Sequence, residues 1–432
     1  MNIYRKFKDN FSELSKSFLF RGTVWITISQ GFTLIVQFSF FVLIARLLGS
    51  SNYGAFASIV ALGGIIAPFS SAGMEILLIR DVARSKEEFG SSFGNALFMA
   101  IFPGLCLVLL LTLLSHTLFP PEISRLAFFC TVLSEIVFLK CIFVGHRAYV
   151  AFENFKAVGI IEFLLSFKNL IACLVFWAFS SNLSLISWTI SYAVSTMLLA
   201  VFTIISVIEN IGKPVFAYEK LLPNLHEGFY FSVDQSAYVV YNKVDKYMLA
   251  SLSTLNASGI YAAAYRLIDV AFVPVKSLMT VSYSRFFKEG SNGISDGLTF
   301  AKKVVPAAIF YSLLAFAAVF IIAPFTPFIL GNDFQEVPQA LRWLAPMLVF
   351  RSVLYFGGDT LTGAGHQRIR TGIQMLFALL NVLLNFLLIP NFSWLGATWA
   401  TLISEALLAG SLWSVAFYLH NKLVKSSTRQ NE

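Results

Sequence analysis

The stretch SFGNALFMAIFPGLCLVLLLTLLS (Ser92–Ser115) decides the fold class, because it contains no lysine, arginine, aspartate or glutamate. A helix needs about 20 mostly apolar residues to cross the hydrocarbon core of a bilayer. Of the chain's 432 residues, 57% are hydrophobic and only 12% are charged, whereas about 25% are charged in a typical soluble domain. The sequence therefore predicts an integral membrane protein and excludes a water-soluble fold, a disordered chain and a disulfide-framed secreted domain.

Twelve apolar stretches are separated by short segments rich in Gly, Pro, Ser and Asn. Unpaired backbone groups are costly in hydrocarbon, so each stretch is predicted to be a helix and the fold to be all-α. The predicted spans are Gly22–Ile44, Gly54–Ile79, Ser92–Ser115, Arg125–His146, Ala157–Phe179, Leu183–Ile208, Gly228–Leu252, Gly259–Tyr283, Lys303–Thr326, Gln339–Thr362, Thr371–Ile389 and Trp394–Leu419.

The positions of the 31 lysines and arginines predict the orientation. With both termini and every even-numbered connection placed in the cytoplasm, those segments hold 21 of the cations and the opposite connections hold two, Arg46 and Arg125. Lysine and arginine accumulate on the cytoplasmic side of membrane proteins. The net charge of +8 therefore indicates topology and not nucleic-acid binding. The spacing of cysteine and histidine resembles no metal site.

Two similar stretches lie half a chain apart. LIARLLGSSNYGAFASIVAL (Leu43–Leu62) and MLASLSTLNASGIYAAAYRL (Met248–Leu267) both pass from apolar residues through a small polar turn to Gly and Tyr. Weak internal symmetry of this kind is typical of transporters built from two repeats around a central site. We therefore expect two pseudo-symmetric six-helix lobes, residues 1–212 and residues 213–432, with the substrate path between them.

Five motifs in order along the chain resemble one family, the polysaccharide transporter (Wzx-type O-antigen or oligosaccharide flippase) branch of the MATE-like MOP superfamily. They are ARLLGSSNYGAFA (Ala45–Ala57), IRDVARS (Ile79–Ser85), VDKYMLA (Val244–Ala250), SGIYAAAYRL (Ser258–Leu267) and LNFLLIPNFSWLGATWATLISE (Leu384–Glu405).

The resemblance implies a non-enzymatic flippase of the bacterial inner membrane. Its cargo would be an undecaprenyl-diphosphate-linked oligosaccharide, moved from the cytoplasmic to the outer leaflet by alternating access for surface polysaccharide biosynthesis. A central cavity would be lined by helices one, two, seven and eight. Membrane lipids, a polysaccharide polymerase and a chain-length regulator are the implied partners. No cofactor is expected apart from coupling to Na⁺ or H⁺.

Other functions stay open at this stage. A cation-coupled drug exporter of the same superfamily would need an acidic cavity, and such exporters commonly carry a carboxylate in the first helix. The first predicted span, Gly22–Ile44, has none. The lipid II flippase branch usually has fourteen helices. A membrane polymerase or ligase of the same pathway usually needs a large outer loop, and the predicted outer connections are short. A scaffold without transport activity is a further alternative.

Charged residues inside the spans supply the candidate site. A charge at membrane depth costs about 2.5–3.5 kcal/mol on insertion scales, so such residues are expected to face protein or water. A diphosphate needs fixed positive partners in a cavity of low dielectric constant, and sugars need amides, hydroxyls and aromatic faces. The predicted substrate contacts are Arg266, Lys276, Arg351, Lys243, Lys246, Gln30, Gln37 and Tyr241. The predicted gate or ion-coupling residues are Arg46, Asp245, Asp269, Glu135 and Glu405.

Structural pairing is an equally open interpretation of several of these charges. Arg266 and Asp269 are three residues apart on one helix and would pair there, as would Lys243 or Lys246 with Asp245. Such pairs would stabilise the bundle without touching a substrate.

Overall fold

A computed structural model describes the backbone of residues 18–180 and 183–430, and the side chains of residues 33–180 and 183–422. The described residues form helices and connections, with no β-strand. The α-helices are α1 (Phe18–Ser71), α2 (Met74–Arg84), α3 (Phe89–Leu113), α4 (Ser115–Leu118), α5 (Arg125–Leu133), α6 (Leu139–Ala151), α7 (Phe155–Phe179), α8 (Leu185–Asn210), α9 (Tyr218–Leu252), α10 (Leu255–Gly290), α11 (Ile294–Ile322), α12 (Thr326–Leu330), α13 (Val337–Leu344), α14 (Met347–Gly363) and α15 (Gln367–Gln430). Single 3₁₀ turns cover Lys86–Glu88, Ala323–Phe325 and Asn332–Phe334.

The predicted all-α architecture is confirmed. Eight segments of the described chain are long and apolar enough to cross a membrane. Two helices contain a sharp kink, because Gly49 (φ 70°) and Ser393 (φ 53°) leave the helical conformation inside α1 and α15. When α1 and α15 are divided there, all twelve predicted spans fall mainly on helix. Twelve crossings and cytoplasmic termini remain predictions.

The outer surface of the bundle is apolar. Large side chains such as Leu113, Phe179 and Phe328 are at least 80% exposed. Contiguous apolar surface of this extent marks contact with other apolar material. Together with the apolar helices, this surface identifies a multi-pass membrane protein whose exposed faces meet lipid.

A π-helical turn, Ser134–Phe138, joins α5 to α6 and carries a buried carboxylate. An added Cβ on Gly63 of α1 would lie 2.8 Å from Cβ of Glu135, so the glycine leaves room for this side chain. Ser70 donates a hydrogen bond of 3.1 Å to the carbonyl of Ile136 in the same turn. The turn therefore packs closely against α1.

The two halves of the chain meet closely at one end of the bundle. The residues after the kink of α1 cross the start of α10, where a Cβ on Gly54 would overlap the backbone of Leu255 and Gly259. Ser58 and Ser258 are hydrogen-bonded at 2.7 Å in this crossing. The two similar stretches of sequence thus place glycine and serine at a helix crossing, where small residues allow backbones to approach.

Towards the other end, α1 packs along α9. Ser236 and Ser232 donate hydrogen bonds of 2.8 Å to the carbonyls of Ile65 and Pro68. Beyond them, Arg80 forms an ion pair with Glu227. The non-helical segment 211–217 precedes α9 and contains the predicted lobe boundary. The division into lobes itself stays a prediction.

Candidate functional site

A cavity of about 730 Å³, the first cavity, lies between the two halves of the chain. It is lined by residues of α1, α7, α8, α9, α10 and α14. The resemblance implies a lining by predicted helices one, two, seven and eight, which correspond to α1 (one and two), α9 and α10. All four contribute, together with α7, α8 and α14. Its charged and amide side chains are Gln37, Asn169, Asn242, Lys243, Lys246, Arg266, Asp269, Lys276 and Arg351.

Charge in this wall is strongly one-sided. Among the described residues, five cations line the first cavity against a single lining carboxylate, Asp269, and two of the five, Lys246 and Arg351, are paired with carboxylates. A region of low dielectric constant with one sign of charge concentrates the field and favours ligands of opposite charge. The chemistry of the first cavity is therefore that of an anion site.

Arg266 and Lys276, both on α10, lack carboxylate partners in the described part of the chain. Arg266 donates a hydrogen bond of 3.0 Å from Nη2 to Oε1 of Gln37, which is a neutral acceptor. The side chain of Lys276 is exposed and makes no ion pair or hydrogen bond with another described residue. The alternative pairing of Arg266 with Asp269 is not formed, because Asp269 bonds to Arg351 instead. Both cations keep charge available for a ligand.

The two lysines of α9 have different surroundings. Lys246 lies 3.5 Å from Oδ1 of Asp245, and its Nζ stands 3.6 Å from the ring centroid of Tyr265. Lys243 forms no ion pair within the described residues. Positive charge is attracted by an aromatic face, so protein contacts define the position of Lys246. The ammonium group of Lys243 has no such contact and remains available to a ligand in the cavity.

Arg351 of α14 is engaged on every side. It contacts Glu405 at 2.8 Å, Asp269 at 2.9 Å and the hydroxyl of Tyr265. Its side chain is only 7% exposed. Although Arg351 lines the first cavity, each of its three side-chain nitrogens already donates to a protein group, so we expect it to orient its neighbours more than to grip a phosphate.

Four of the predicted gate or ion-coupling residues are carboxylates, and each has a different setting. Asp245 accepts a hydrogen bond of 2.6 Å from Tyr261, whose hydroxyl also lies 3.1 Å from Thr401. Asp269 of α10 and Glu405 of α15 both bond to Arg351; the Asp269 side chain is 43% exposed, whereas that of Glu405 is 4% exposed.

Glu135 lies elsewhere, in the π-helical turn. It accepts a hydrogen bond of 2.6 Å from Tyr192 of α8. Near this contact, Lys168 bonds to Thr196 at 2.9 Å, and its Nζ lies 4.4 Å from the Tyr192 ring centroid. No ion pair joins Lys168 to a carboxylate among the described residues, but Tyr192 contacts both Lys168 and Glu135.

Arg46 lies outside both cavities, at the closely packed end of the bundle. It donates hydrogen bonds to the carbonyl oxygens of Phe328 and Ile329 in α12. Nearby, Ser50 is bonded to Asn256. These contacts join the first half of the chain to the second and suit a gate.

A second cavity of about 700 Å³ extends from the first along α9. Tyr238, Asn242, Lys243 and Tyr355 line both cavities and form their junction. Tyr241 and Glu135 belong to the second cavity alone, so the structure separates them from the other candidates. The side chain of Gln30 lies outside the described residues. The charged and amide side chains of the second cavity are Glu75, Glu135, Lys140, Arg147, Asp234, Gln235, Asn242, Lys243, Gln367, Arg370 and Gln374.

Several residues of the second cavity are absent from the sequence-based site. Glu75 forms a buried ion pair of 2.6 Å with Lys140, and Arg370 lies 3.2 Å from Asp359. Arg370 falls in a connection whose cations were assigned to topology. Arg370 lies in the first turn of α15. Its place near a helix start is a weak signal, and only the tertiary contacts bring it to the wall.

A model of the family described as polysaccharide biosynthesis protein matches residues 19–288 of the chain. The chain belongs to this family. The match covers both the first half of the chain and the two helices, α9 and α10, that contribute most cations to the first cavity. No curated protein matches the sequence significantly.

Solved structures of the MOP superfamily share the fold. The lipid II flippase MurJ, in an inward closed conformation, has a TM-score of 0.75 and 17% identity, covering 91% of this chain and 87% of that one. An inward-facing multidrug resistance MATE family transporter has a TM-score of 0.74 and 14% identity, covering 91% and 96%. A MOP superfamily transporter from Pyrococcus furiosus, described as having a binding pocket of reverse polarity, has a TM-score of 0.60 and 13% identity, covering 93% and 94%.

These similarities fix the architecture. This member of the polysaccharide biosynthesis protein family has the fold of MOP-superfamily transporters. Its relatives in structure are transporters and flippases, which agrees with the prediction of a transporter rather than an enzyme.

Proposed function

We propose that the protein is a flippase that carries an undecaprenyl-diphosphate-linked oligosaccharide from the cytoplasmic to the outer leaflet of a bacterial inner membrane. The observation that carries the proposal is the first cavity between the two halves of the chain, where three of the five lining cations, Lys243, Arg266 and Lys276, form no ion pair among the described residues. A diphosphate brings at least two negative charges to such a site. Family membership and the MOP-superfamily fold support the same cargo class.

Arg266 and Lys276 are the proposed diphosphate contacts. Arginine can hold a phosphate through two parallel hydrogen bonds, whereas lysine acts as a point charge. The acceptor of Arg266, Gln37, is neutral and can be exchanged for phosphate oxygen without separating an ion pair. The lobes would then rock about the cavity, opening it first to the cytoplasm and then, after release of the Arg46 contacts, to the outside.

The experiment is complementation of a deletion strain. We expect the double variant Arg266→Gln with Lys276→Gln to lower surface glycan at least tenfold and to raise lipid-linked repeat units on the inner leaflet. Each lost hydrogen bond to a charged group is worth about 1.5–3 kcal/mol, and 1.4 kcal/mol corresponds to about tenfold. Both quantities can be measured by labelling the glycan and extracting the lipid.

The matched control is Lys302→Gln with Lys303→Gln, since both lysines are exposed and line neither cavity. The control should restore export. Normal export by the Arg266 and Lys276 variant, at normal protein level, would refute the proposal. If that variant instead exported a cationic dye, the drug-exporter alternative would replace it.

A further inference from the structure

The two cavities differ in their chemistry, although they share residues of α9 and α14 and are similar in volume. The first cavity has five cations and one carboxylate, whereas the second has four cations and three carboxylates, Glu75, Glu135 and Asp234. Two cations of the second cavity are also paired, Lys140 with Glu75 and Arg370 with Asp359. The second cavity is therefore close to neutral and is poorly suited to hold a diphosphate.

Amide side chains without a hydrogen-bond partner among the described residues line the second cavity but not the first. In the first cavity, Gln37 bonds to Ser166 and Arg266, and Asn169 accepts a hydrogen bond from Lys168. In the second cavity, the amides of Gln235 and Gln374 make no hydrogen bond with another described residue, although both belong to its wall. Free amides can donate and accept at once, as a sugar hydroxyl can.

Three buried polar atoms of the second cavity's wall also lack partners among the described residues. They are Oε2 of Glu75, the hydroxyl of Tyr241 and Nε of Arg370. Buried polar groups are normally hydrogen-bonded, so an unpaired one in a wall indicates a missing partner. The Tyr241 hydroxyl can donate and accept, while Nε of Arg370 can only donate. The Glu75 oxygen can only accept. A polyhydroxyl ligand satisfies all three groups once their side chains turn to expose these atoms to the cavity.

We propose that the second cavity is the oligosaccharide subsite, in which Gln235, Tyr241, Arg370 and Gln374 bind sugar hydroxyls while the diphosphate stays in the first cavity. This proposal rests on the proposed function. Tyr283, Tyr355 and Tyr238 add aromatic side chains to the same wall. A volume of about 700 Å³ lies within the range of about 300–1,000 Å³ typical of small-molecule sites.

The junction sets the geometry of the bound molecule. Lys243, Asn242, Tyr238 and Tyr355 belong to both walls, so the bond between diphosphate and first sugar would lie beside them. Lys243 has no ion pair among the described residues and can meet the phosphate nearer the sugar. The glycan would then extend along α9 toward Asp234, which on the predicted topology is the direction of the cytoplasm.

The test is photo-crosslinking of the full-length protein in cells that make the lipid-linked glycan. A benzophenone amino acid replaces either Met375, which lines only the second cavity, or Met279, which lines only the first. After irradiation, mild acid cleaves the bond between sugar and diphosphate, and mass spectrometry identifies the adduct. We expect a sugar adduct at position 375 and, at position 279, a polyprenyl adduct that still carries its phosphates, because benzophenone reacts with C–H bonds.

The matched variants separate the subsites. Gln235→Leu with Gln374→Leu should lower the adduct at position 375 at least fivefold and leave the adduct at position 279 within twofold, whereas Lys276→Gln should lower both. Adducts at position 279 with none at 375, or lipid at 375, would overturn the oligosaccharide subsite and leave the flippase proposal standing. Absence of adducts at both positions, with the protein present at normal level, would overturn the flippase proposal as well.

Discussion

Arg266 donates a hydrogen bond of 3.0 Å to Gln37, and this bond joins α10 to the first part of α1 along the wall of the first cavity. The acceptor is an amide, so the guanidinium is positioned without being neutralised. Arg266 therefore differs from Arg351, whose carboxylate partners already balance its charge. The contrast indicates which cations of the cavity remain available to cargo.

Replacing Gln37 by glutamate tests this arrangement. A carboxylate at this place would pair with Arg266 and compete with phosphate, so we expect Gln37→Glu to lower glycan export at least fivefold. Gln37→Leu removes the acceptor but leaves the charge, and we expect a loss of no more than about twofold. Export is followed as the rate at which labelled glycan reaches the cell surface. Equal losses in both variants would point to packing instead of charge.

Removal of Arg351 should destabilise the protein. Breaking a buried ion pair by removing one partner costs about 3–5 kcal/mol, because the other charge is left uncompensated. Arg351→Met leaves the buried carboxylate of Glu405 without its partner, so we expect the unfolding temperature in detergent to fall clearly. Replacement of an entire buried pair by apolar residues is often close to neutral. The double variant Arg351→Met with Glu405→Leu should therefore recover most of the loss, and failure to recover would argue against a mainly electrostatic role.

Glycine is required at the crossing of α1 and α10. A Cβ on Gly54 would overlap the carbonyl of Leu255 and the backbone of Gly259. Overpacking costs about 1–3 kcal/mol, so Gly54→Ala should lower the unfolding temperature or the yield of folded protein. Gly159 in α7 has nothing within 4 Å of an added Cβ, and Gly159→Ala is the control that should leave both unchanged.

The contacts of Arg46 predict a gate at the closely packed end of the bundle. Arg46→Ala removes its hydrogen bonds to the carbonyls of Phe328 and Ile329. We expect a cysteine replacing Phe38, in the first cavity, to react at least twice as fast with a membrane-impermeant thiol reagent added to intact cells. The native cysteines are replaced by alanine in this experiment.

Arg125→Ala is the control for Arg46, because Arg125 is exposed and is predicted to lie on the same side of the membrane. It should not change the labelling of the cysteine at position 38. Unchanged labelling in the Arg46 variant would mean that other contacts, such as Ser50 with Asn256, hold this end closed without it.

Much of the architecture could be read from local sequence. Long apolar stretches such as Ser92–Ser115 predict helices because they are long enough to cross the membrane. In lipid, unpaired backbone groups are costly, and a helix pairs all of them within the segment. The kinks were less accessible. Gly49 lies in a predicted turn, yet α1 continues on both sides of it with a single residue out of helical conformation.

The site was predicted by residue type but not by arrangement. Cations at membrane depth, such as Arg266 and Lys276, were recognisable because they are costly there. The partner of Arg266 was not, since Gln37 is 229 positions away in the sequence. The division into two cavities was also invisible, and Tyr241 was grouped with residues from which the structure separates it.

The sequence by itself determined that this chain is a helical membrane protein with positive charge at bilayer depth, because composition and apolar length act locally along the chain. Only the tertiary structure decided which charges are free. Arg351 is neutralised by residues from two other helices, whereas Arg266 is not. Pairing depends on which helices become neighbours, and that is set by packing of the whole bundle.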